Sequence, residues 1–267
     1  MRTALLWAQQ QGLEVAVKGG GHSTAGTSSS DGGLVIDLSR MRGVRVNTAK
    51  KTIEVGGGAT WKDVDDAGAA HGLAAVGGTV NHTGVGGLTL GGGYGFLSGL
   101  YGLVIDNLVS ARVVLADGRI VTASADENED LFWGLRGAGY NFGVVVEFTY
   151  QAHDLEGPVY AGIVGFAGDK VEQVIQELNA EFVGNPDPAA TALCVLAHLP
   201  AETGSGSTPR FTPMILALCV YIGSRESGER YFSNLVSLGP VLNTLDMVPY
   251  PVVNTLQNES ATYGVID

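Results

Sequence analysis

A histidine stands directly after three consecutive glycines in the stretch VKGGGHSTAG, residues 17–26. Three positions without side chains leave the backbone N–H groups open to an anion such as a phosphate, or let the backbone lie flat on a ring. The imidazole of His22 and the hydroxyl of Ser23 then stand where they could contact the same ligand. A flexible surface turn with an incidental histidine is the other interpretation that these residues alone allow.

A second glycine-rich stretch, GGTVNHTGVGGLTLGGGYGFLSGLYGLVIDNL, covers residues 77–108. Its glycines fall in clusters between apolar residues, whereas the glycines of a flexible linker are spread evenly. Such clusters suit an anion-binding nest or a backbone packed against an aromatic ring. A set of tight turns in a β-rich core would have the same composition, so both interpretations stay open for this stretch alone.

Neither stretch carries a standard nucleotide-binding fingerprint. The Rossmann motif needs G-x-G-x-x-G between a strand and a helix, whereas residues 84–87 read GVGG and residues 91–95 read GGGYG. The P-loop pattern G-x-x-x-x-G-K-[ST] does not occur in the chain. A nucleotide could therefore bind only through a different fold.

Other kinds of site find little support. His71, His153 and His198 have no second ligand at helical or loop spacing, so we predict no metal site. No G-x-S-x-G elbow occurs, which argues against hydrolase chemistry. Cys194 and Cys219 lie in apolar, strand-like runs, which favours a buried thiol pair over a disulfide.

Short strands and helices surround the glycine-rich stretches. Thr60 should cap a helix of about 12 residues that ends at Gly72. The remaining patterns predict two hairpins, VRVNTAKKTIEV and SARVVLADGRIVTA, a final strand VVVEFTYQA, helices over 2–11 and 128–136, and strands over 14–17 and 34–37. We expect these elements to form two small mixed sheets with helices.

The pattern of predicted strands and helices changes around residues 153–158, HDLEGP. The strand YAGIVGF is followed by an amphipathic helix, and a loop at residues 202–209 separates the strands ATALCVLAHL and RFTPMILALCVYIG. ERYFSNLVSL reads as a further helix. We predict an antiparallel sheet covered on one side by helices. The first helix carries Val171, Val174, Ile175 and Leu178 on one face.

Composition restricts the class of protein and of partner. Hydrophobic residues make up 45% of the 267 residues and charged residues 16%, as in a globular protein. The net charge of −12 argues against nucleic acid or a membrane as the main partner. No apolar run approaches the roughly 20 residues of a bilayer span, and the first residues lack a signal-peptide cleavage site. Of the 40 glycines, 29 precede residue 151, which indicates two domains, one of them close to a ligand.

Four motifs follow one another along the chain: GGGHS after an apolar strand, HTGVGGLTLGGGYGFLSGLYGLVIDNL, VVLADGRIV, and ENEDLFWGLRGAGYNFGVVVEF. Together they resemble the FAD-binding domain of the vanillyl-alcohol-oxidase/PCMH flavoprotein superfamily, and within it the berberine-bridge-enzyme-like oxidases. The resemblance is dense up to residue 153 and rests on secondary-structure pattern beyond it. It implies an α+β fold with a PCMH-type FAD-binding domain over 1–153, its N-terminal strand absent. Part of a substrate domain, an antiparallel sheet with helices that roofs the flavin, follows over 154–267.

The resemblance also implies which residues hold the cofactor. In that family the histidine of the GGGHS loop bonds covalently to the 8α carbon of the flavin, which makes His22 the expected anchor. The other expected FAD contacts are Lys18, Gly19, Gly20, Gly21 and Ser23 around the pyrophosphate; Thr83, Gly84, Gly86, Gly87, Gly91, Gly92, Tyr94 and Gly95 along the ribityl chain and ring; Asp106 and Asn107 farther along; and Gly139, Asn141, Phe142, Gly143 and Val145 near the ring and the adenosine.

The chain departs from the family pattern in three respects. Many relatives have a second covalent link through a cysteine four residues before the G-x-G-G run, and that residue is Val80 here, so we expect attachment at one point only. His82 could face the flavin or serve as a hydrogen-bonded structural residue. Ala138 and Tyr140 replace glycines that are common in their loop. Relatives also have a C-terminal segment that supplies the catalytic base, so we expect a partial chain without that base.

The activity implied is FAD-dependent oxidation of an alcohol, sugar or amine-type small molecule. Hydride would pass to flavin N5, and O₂ would reoxidise the flavin to give H₂O₂. One alternative is a dehydrogenase of the same fold that uses another electron acceptor. The other is a truncated, non-catalytic remnant of a flavin domain. The sequence indicates neither the substrate, nor the oligomeric state, nor the compartment.

Overall fold

The computed structural model of the protein describes residues 1–200 and 211–258. These residues form two compact units: Met1–Glu156, which the chain rejoins at Gln257, and Gly157–Leu256. The loop predicted at residues 202–209 lies outside the described residues. The domain boundary placed after residue 153 falls within a strand and stays a prediction.

The first unit combines five helices with two sheets. Its helices are α1 (Arg2–Gln10), α2 (Trp61–Ala69), α3 (Val85–Leu90), α4 (Ser98–Tyr101) and α5 (Glu129–Ala138), and 3₁₀ turns cover Val104–Asn107 and Gly139–Asn141. Its strands are β1 (Val15–Lys18), β2 (Leu34–Asp37), β3 (Val44–Asn47), β4 (Thr52–Gly56), β5 (Leu73–Ala75), β6 (Leu108–Val114), β7 (Ile120–Ser124) and β8 (Val144–Asp154). The α+β fold class is confirmed.

The sheets of this unit are not the mixed sheets expected from the sequence. Strands β1 and β2 form a separate parallel pair. The other six strands form one wholly antiparallel sheet in the order β3-β4-β8-β6-β7, with β5 also paired to β8. The long strand β8 contacts three partners, and pairings so distant along the chain leave no local sequence signal.

The core of this sheet positions the glycine-rich helix α3. Phe148 and Tyr150 on β8 and Trp61 on α2 are fully buried. The hydroxyl groups of Tyr150 and Thr89 are 2.7 Å apart, and Thr89 Oγ1 donates to the Val85 carbonyl at 2.8 Å. Because both hydroxyls are buried, this chain of hydrogen bonds fixes α3 on the sheet.

Helix α2 begins where the sequence predicts and ends earlier. Thr60 and Asp63 form a reciprocal capping box at its start. The helix ends at Ala69, before the predicted end at Gly72. Its last turn tightens, since the N–H groups of His71 and Gly72 bond to carbonyls three residues back, and Gly72 takes a φ of 66°.

The second unit is an antiparallel sheet with helices against one face. Its core joins Val164, Phe166 and Ile215 of the sheet to Val174 and Leu235 of the helices. The strands are β9 (Val159–Ala167), β10 (Ala190–Pro200), β11 (Phe211–Tyr221), β12 (Leu242–Asn243) and β13 (Asp246–Val248), and the helices are α6 (Val171–Asn179), α7 (Arg225–Tyr231), α8 (Ser233–Ser237) and α9 (Tyr250–Val253). The sheet order is β10-β11-β9-β12, and β13 also pairs with β9.

The amphipathic helix predicted in this unit is present as α6, and Val174 and Leu178 of its apolar face pack on the core, while Val171 and Ile175 are 38% and 41% exposed. One local prediction for this unit is wrong. The helix predicted in ERYFSNLVSL is broken at the buried Phe232 into α7 and α8.

The two cysteines of the second unit are free thiols. Cys219 is buried and Cys194 is half-buried. Burial raises the pKa of both thiols, so neither has the ionised form that reacts readily.

Among residues 1–200 and 211–258, no helix is both long and apolar enough to cross a bilayer.

A buried carboxyl in the second unit predicts a pH-dependent stability. Glu181, in the π-helical turn Ala180–Gly184, is 6% exposed. Burial, helped by the charge of Glu177 and opposed by the Leu235 N–H group, raises its pKa to about 7. Because the folded pKa exceeds the unfolded one, the wild type should lose stability as the pH rises from about 4.5 to about 7.

Glu181→Gln should remove this loss. We expect its free energy of unfolding to exceed that of the wild type by about 1–3 kcal/mol at about pH 8 and by much less at about pH 5. Urea unfolding at both pH values measures the difference. Glu172→Gln, at an exposed carboxyl of helix α6, is the matched control, and an equal gain of Glu181→Gln at both pH values would contradict the assignment.

Candidate functional site

The loops around residues 20 and 84 touch each other directly through their backbones. A Cβ placed on Gly20 would lie 2.3 Å from Gly84 N, and one placed on Gly84 would lie 2.2 Å from Gly20 N. Both distances are far below van der Waals contact, so only glycine fits at either position. The structure thus brings together the two glycine-rich stretches that the sequence singles out.

A third glycine cluster, residues 56–58, lies beneath these loops. A Cβ on Gly57 would lie 2.2 Å from the Val145 carbonyl oxygen, and one on Gly58 would lie 1.6 Å from the Leu38 carbonyl oxygen. The Gly57 carbonyl in turn lies 3.7 Å and 3.4 Å from the Cβ positions of Gly19 and Gly86. This cluster is not among the predicted contacts, although the three consecutive glycines in VGGGAT were a signal for it.

The loop that carries residues 79–84 is fixed on the start of helix α2. The N–H groups of Trp61 and Lys62 donate to the carbonyls of Thr83 and Asn81, at 3.1 Å and 2.7 Å. The Val85 N–H donates to the Ala59 carbonyl at 2.9 Å. These bonds hold the backbone on both sides of His82.

His22 and His82 form a hydrogen-bonded pair across the two loops. His22 Nε2 lies 2.7 Å from His82 Nδ1, and the ring centroids are 4.7 Å apart with an angle of 28° between the rings. Burial lowers the pKa of His22, and a positive charge on His82 lowers it further, while a hydrogen bond with the His82 backbone opposes both. His22 is therefore held neutral at neutral pH, with a lone pair on a ring nitrogen.

The glycines before His22 offer backbone donors. Within the described residues, no hydrogen bond joins the N–H of Gly19, Gly20 or Gly21 to another group. Gly21 has a φ of 75°, a left-handed conformation that favours glycine. Consecutive N–H groups in such a turn form a concave site for an anion such as a pyrophosphate.

The loop after helix α5 packs against helix α3. The Tyr140 hydroxyl donates to the Gly87 carbonyl at 2.9 Å, and a Cβ on Gly139 would lie 2.4 Å from a methyl group of Leu90. Around Gly87 and Gly92, a Cβ would meet no atom within 4 Å. The predicted segments 83–95 and 139–145 are therefore adjacent, with open space beside two of their glycines.

Several predicted contacts have side chains that the scaffold already uses. Asp106 accepts from the Leu103 N–H at 2.8 Å and lies 3.7 Å from Arg136. Asn107 is 5% exposed and donates to the carbonyls of Tyr101 and Leu103, while its Oδ1 lies 2.7 Å from His153 Nε2. The other predicted contacts with a structural position of this kind are Lys18, 3.2 Å from Asp37; Ser23, bonded to Thr27; Gly95, whose Cβ would lie 1.9 Å from the Gly77 carbonyl oxygen; Gly143, next to the Val114 carbonyl; and Val145, buried in β8.

The remaining predicted contacts are accessible. Tyr94 is 64% exposed, and Phe142 and Asn141 are also exposed. Gly91 lies beside the Tyr140 hydroxyl. As cofactor contacts, the residues of both groups stay predictions. Those of the first group already bond to or pack against other parts of the protein, whereas those of the second group are accessible.

Comparison with known protein families gives one domain match. Residues 1–124 match the family described as FAD binding domain. The matched range contains the loops at Gly20 and Gly84, the His22–His82 pair and helix α3.

Curated relatives with similar sequences are FAD-linked enzymes. The FAD-linked oxidoreductase pgmH of Aspergillus terreus is 54% identical over 168 residues, which are 62% of this chain and 34% of that protein. The (R)-6-hydroxynicotine oxidase of Paenarthrobacter nicotinovorans is 34% identical over 259 residues, 96% of this chain and 55% of that protein. The chain thus spans between about a third and about half the length of these relatives.

Solved structures repeat the same fold over almost the whole chain. The 6-hydroxy-D-nicotine oxidase from Arthrobacter nicotinovorans has a TM-score of 0.86 at 30% identity, covering 100% of this chain and 56% of that one. The xylooligosaccharide oxidase from Myceliophthora thermophila C1, in complex with xylobiose, has a TM-score of 0.79 at 30% identity, covering 99% and 54%.

Proposed function

Because this chain belongs to the FAD-linked oxidoreductases of the vanillyl-alcohol-oxidase/PCMH type, we propose that it binds FAD at the Gly20–Gly84 loop contact and oxidises a small molecule. The observation that carries the proposal is the contact itself. A Cβ added to either glycine would lie only 2.2–2.3 Å from the backbone nitrogen of the other, so this contact brings the N–H donors of one loop close to the helix that follows the other. The His22–His82 pair lies at the same contact.

The residues present fit the chemical parts of FAD. The free N–H groups of Gly19, Gly20 and Gly21 suit the pyrophosphate, whose negative charge they would balance without a side chain. The open space beside Gly87 and Gly92 suits a flat ring, because a backbone without Cβ allows close approach. His22, neutral and accessible, is the proposed covalent anchor on the 8α carbon.

We further propose that the reaction is an oxidation of an alcohol, sugar or amine-type carbon. Bound FAD would supply the redox chemistry, with hydride accepted at N5 and O₂ reduced to H₂O₂. The names of two similar proteins, a 6-hydroxynicotine oxidase and a xylooligosaccharide oxidase, support this range of substrates. The role of the protein is to hold the ring and exclude competing reactions.

Flavin bleaching tests the activity. The flavin-loaded chain should be mixed, without O₂, with a panel of small alcohols, oligosaccharides and cyclic amines, and loss of yellow colour marks a substrate. Admitting O₂ should then restore the colour and produce H₂O₂. Bleaching without H₂O₂ on re-aeration would indicate a dehydrogenase with another acceptor, and no bleaching by any member would contradict the proposed substrate classes.

A further inference from the structure

A histidine at the end of strand β8 makes two close contacts with the turn at residues 101–107, which precedes β6. We propose that this residue, His153, is a positioning residue for the flavin. Its hydrogen bond orients the Asn107 amide, which closes the turn that holds Gly92 and Gly93 beside the flavin ring. The inference rests on the proposed function, because it concerns the same FAD site. A continuous series of contacts within the first unit carries it.

His153 contacts the turn through its ring face and through one ring nitrogen. Its Nε2 lies 2.7 Å from Asn107 Oδ1. Its ring stacks on Tyr101, with the ring centroids 3.6 Å apart and an angle of 5° between the rings. Strand β8 pairs with β5 at this point, where His153 lies opposite Ala74, so the imidazole is attached to the sheet. The sheet thus supports the turn through this side chain.

The Asn107 amide determines which nitrogen of His153 carries the proton. Its Nδ2 donates to the carbonyls of Tyr101 and Leu103, at 2.9 Å each, so its Oδ1 is turned toward His153 as an acceptor. The ring nitrogen at 2.7 Å must therefore donate, and His153 carries a proton on Nε2. Burial lowers the pKa of His153, so at neutral pH this is the one proton on the ring nitrogens.

The same turn holds the two glycines that follow helix α3. The N–H groups of Val104 and Ile105 donate to the carbonyls of Gly93 and Gly92, at 3.0 Å and 3.1 Å. A Cβ on Gly92 would meet no atom within 4 Å, so this glycine has open space on one side while its carbonyl is held on the other. The 3₁₀ turn that carries both donors ends at Asn107. The orientation of the Asn107 amide therefore bears on the position of the glycines.

Loss of the donor on His153 should release the Asn107 amide. Asn107 is 5% exposed, so its Oδ1 would be left buried without a partner, which is costly. The amide could then turn over, but its oxygen would face the carbonyl oxygens of Tyr101 and Leu103 and repel them. Either outcome loosens the turn, and with it the backbone of Gly92 against which the flavin ring is proposed to lie.

Three variants separate the hydrogen bond from the ring stack. His153→Phe keeps a ring for Tyr101 but has no donor, whereas His153→Gln has an Nε2–H donor at a similar reach but no ring. We expect His153→Phe to bind FAD at least about tenfold more weakly before attachment. With saturating FAD, its flavin should have a visible absorption spectrum different from that in the wild type. His153→Gln should restore both, and His71→Phe, at an exposed histidine of the same unit, should change neither.

Amide hydrogen exchange of the flavin-free chain tests the series of contacts without the cofactor. The amides of Val104 and Ile105 should exchange at least about tenfold faster in His153→Phe than in the wild type, and at the wild-type rate in His153→Gln. Nitrogen-15 NMR should find the proton of wild-type His153 on Nε2. A proton on Nδ1, or unchanged exchange in His153→Phe, would overturn the inference.

The FAD measurements distinguish failure of this inference from failure of the proposed function. Wild-type affinity and flavin spectrum in His153→Phe would overturn the positioning role and leave the FAD site in place. Equal losses in His153→Phe and His153→Gln would assign the effect to the ring stack and overturn the role of the hydrogen bond. A folded wild-type chain that takes up no FAD would contradict the proposed function, and the role of His153 with it.

Discussion

Replacing His22 with alanine should leave FAD bound to the folded chain but allow acid to extract all of it. The alanine side chain has no nitrogen to bond to the flavin, and we expect no second covalent link, since residue 80 is valine and not cysteine. The donors of Gly19, Gly20 and Gly21 remain in His22→Ala. We therefore expect the affinity for FAD before attachment to change by less than about tenfold, within about 1.4 kcal/mol.

The measurement is the distribution of flavin between precipitate and supernatant after acid denaturation. Wild type and His71→Ala should keep the yellow colour in the precipitated polypeptide, and His22→Ala should lose it to the supernatant. Acid-stable flavin in His22→Ala would show that another residue is the anchor.

Replacing Gly84 with alanine should both destabilise the first unit and weaken FAD binding. The new Cβ would lie 2.2 Å from Gly20 N and 2.7 Å from its Cα, and a backbone cannot rotate away as a side chain can. The loops must separate, and overpacking of this kind costs about 1–3 kcal/mol. The same contact brings the backbone N–H groups of residues 19–21 close to helix α3. We therefore expect the affinity for FAD to fall by at least about tenfold.

Two other glycines provide matched controls for Gly84→Ala. A Cβ on Gly43 meets no atom within 4 Å, and Gly43 lies outside the site, so Gly43→Ala should change neither stability nor affinity. Gly87 also has open space around its Cβ position and lies in helix α3, where alanine is favoured by up to about 1 kcal/mol over glycine. Gly87→Ala should therefore keep or raise the free energy of unfolding, yet weaken FAD binding if the flavin occupies that space.

Thermal unfolding and fluorescence titration with FAD separate the two effects. Gly84→Ala should lower both the unfolding temperature and the affinity for FAD. Gly87→Ala should lower only the affinity, and Gly43→Ala should lower neither. Full FAD affinity in Gly84→Ala would contradict the proposed site at the loop contact.

Local patterns predict much of the fold, because hairpins and caps depend on residues close in sequence. The hairpin around residues 44–56 and the cap at Thr60 are present as predicted. The arrangement of sheets could not be predicted, since β8 pairs with β4, β5 and β6 over long stretches of chain. The break at Phe232 was missed because a buried aromatic residue fits a helical pattern equally well.

The candidate site, like the fold, could be predicted from the sequence only in part. The family resemblance points to both glycine-rich stretches, but the contact of Gly20 with Gly84 depends on how distant loops pack. The sequence leaves two roles open for His82, and no local pattern could predict its 2.7 Å contact with His22. The contact of His82 with the flavin stays a prediction. Asn107 carries the type of side chain that a cofactor contact needs, yet burial commits it to its own turn and to His153.

The most direct test of the proposed FAD site is the amount of flavin that the purified wild-type chain retains. The flavin-free chain should be titrated with FAD, denatured in acid, and assayed for flavin on the precipitated polypeptide. The proposed site predicts saturation at one FAD per chain, with the flavin remaining on the polypeptide. A chain that is folded by its thermal transition but takes up no FAD would contradict it.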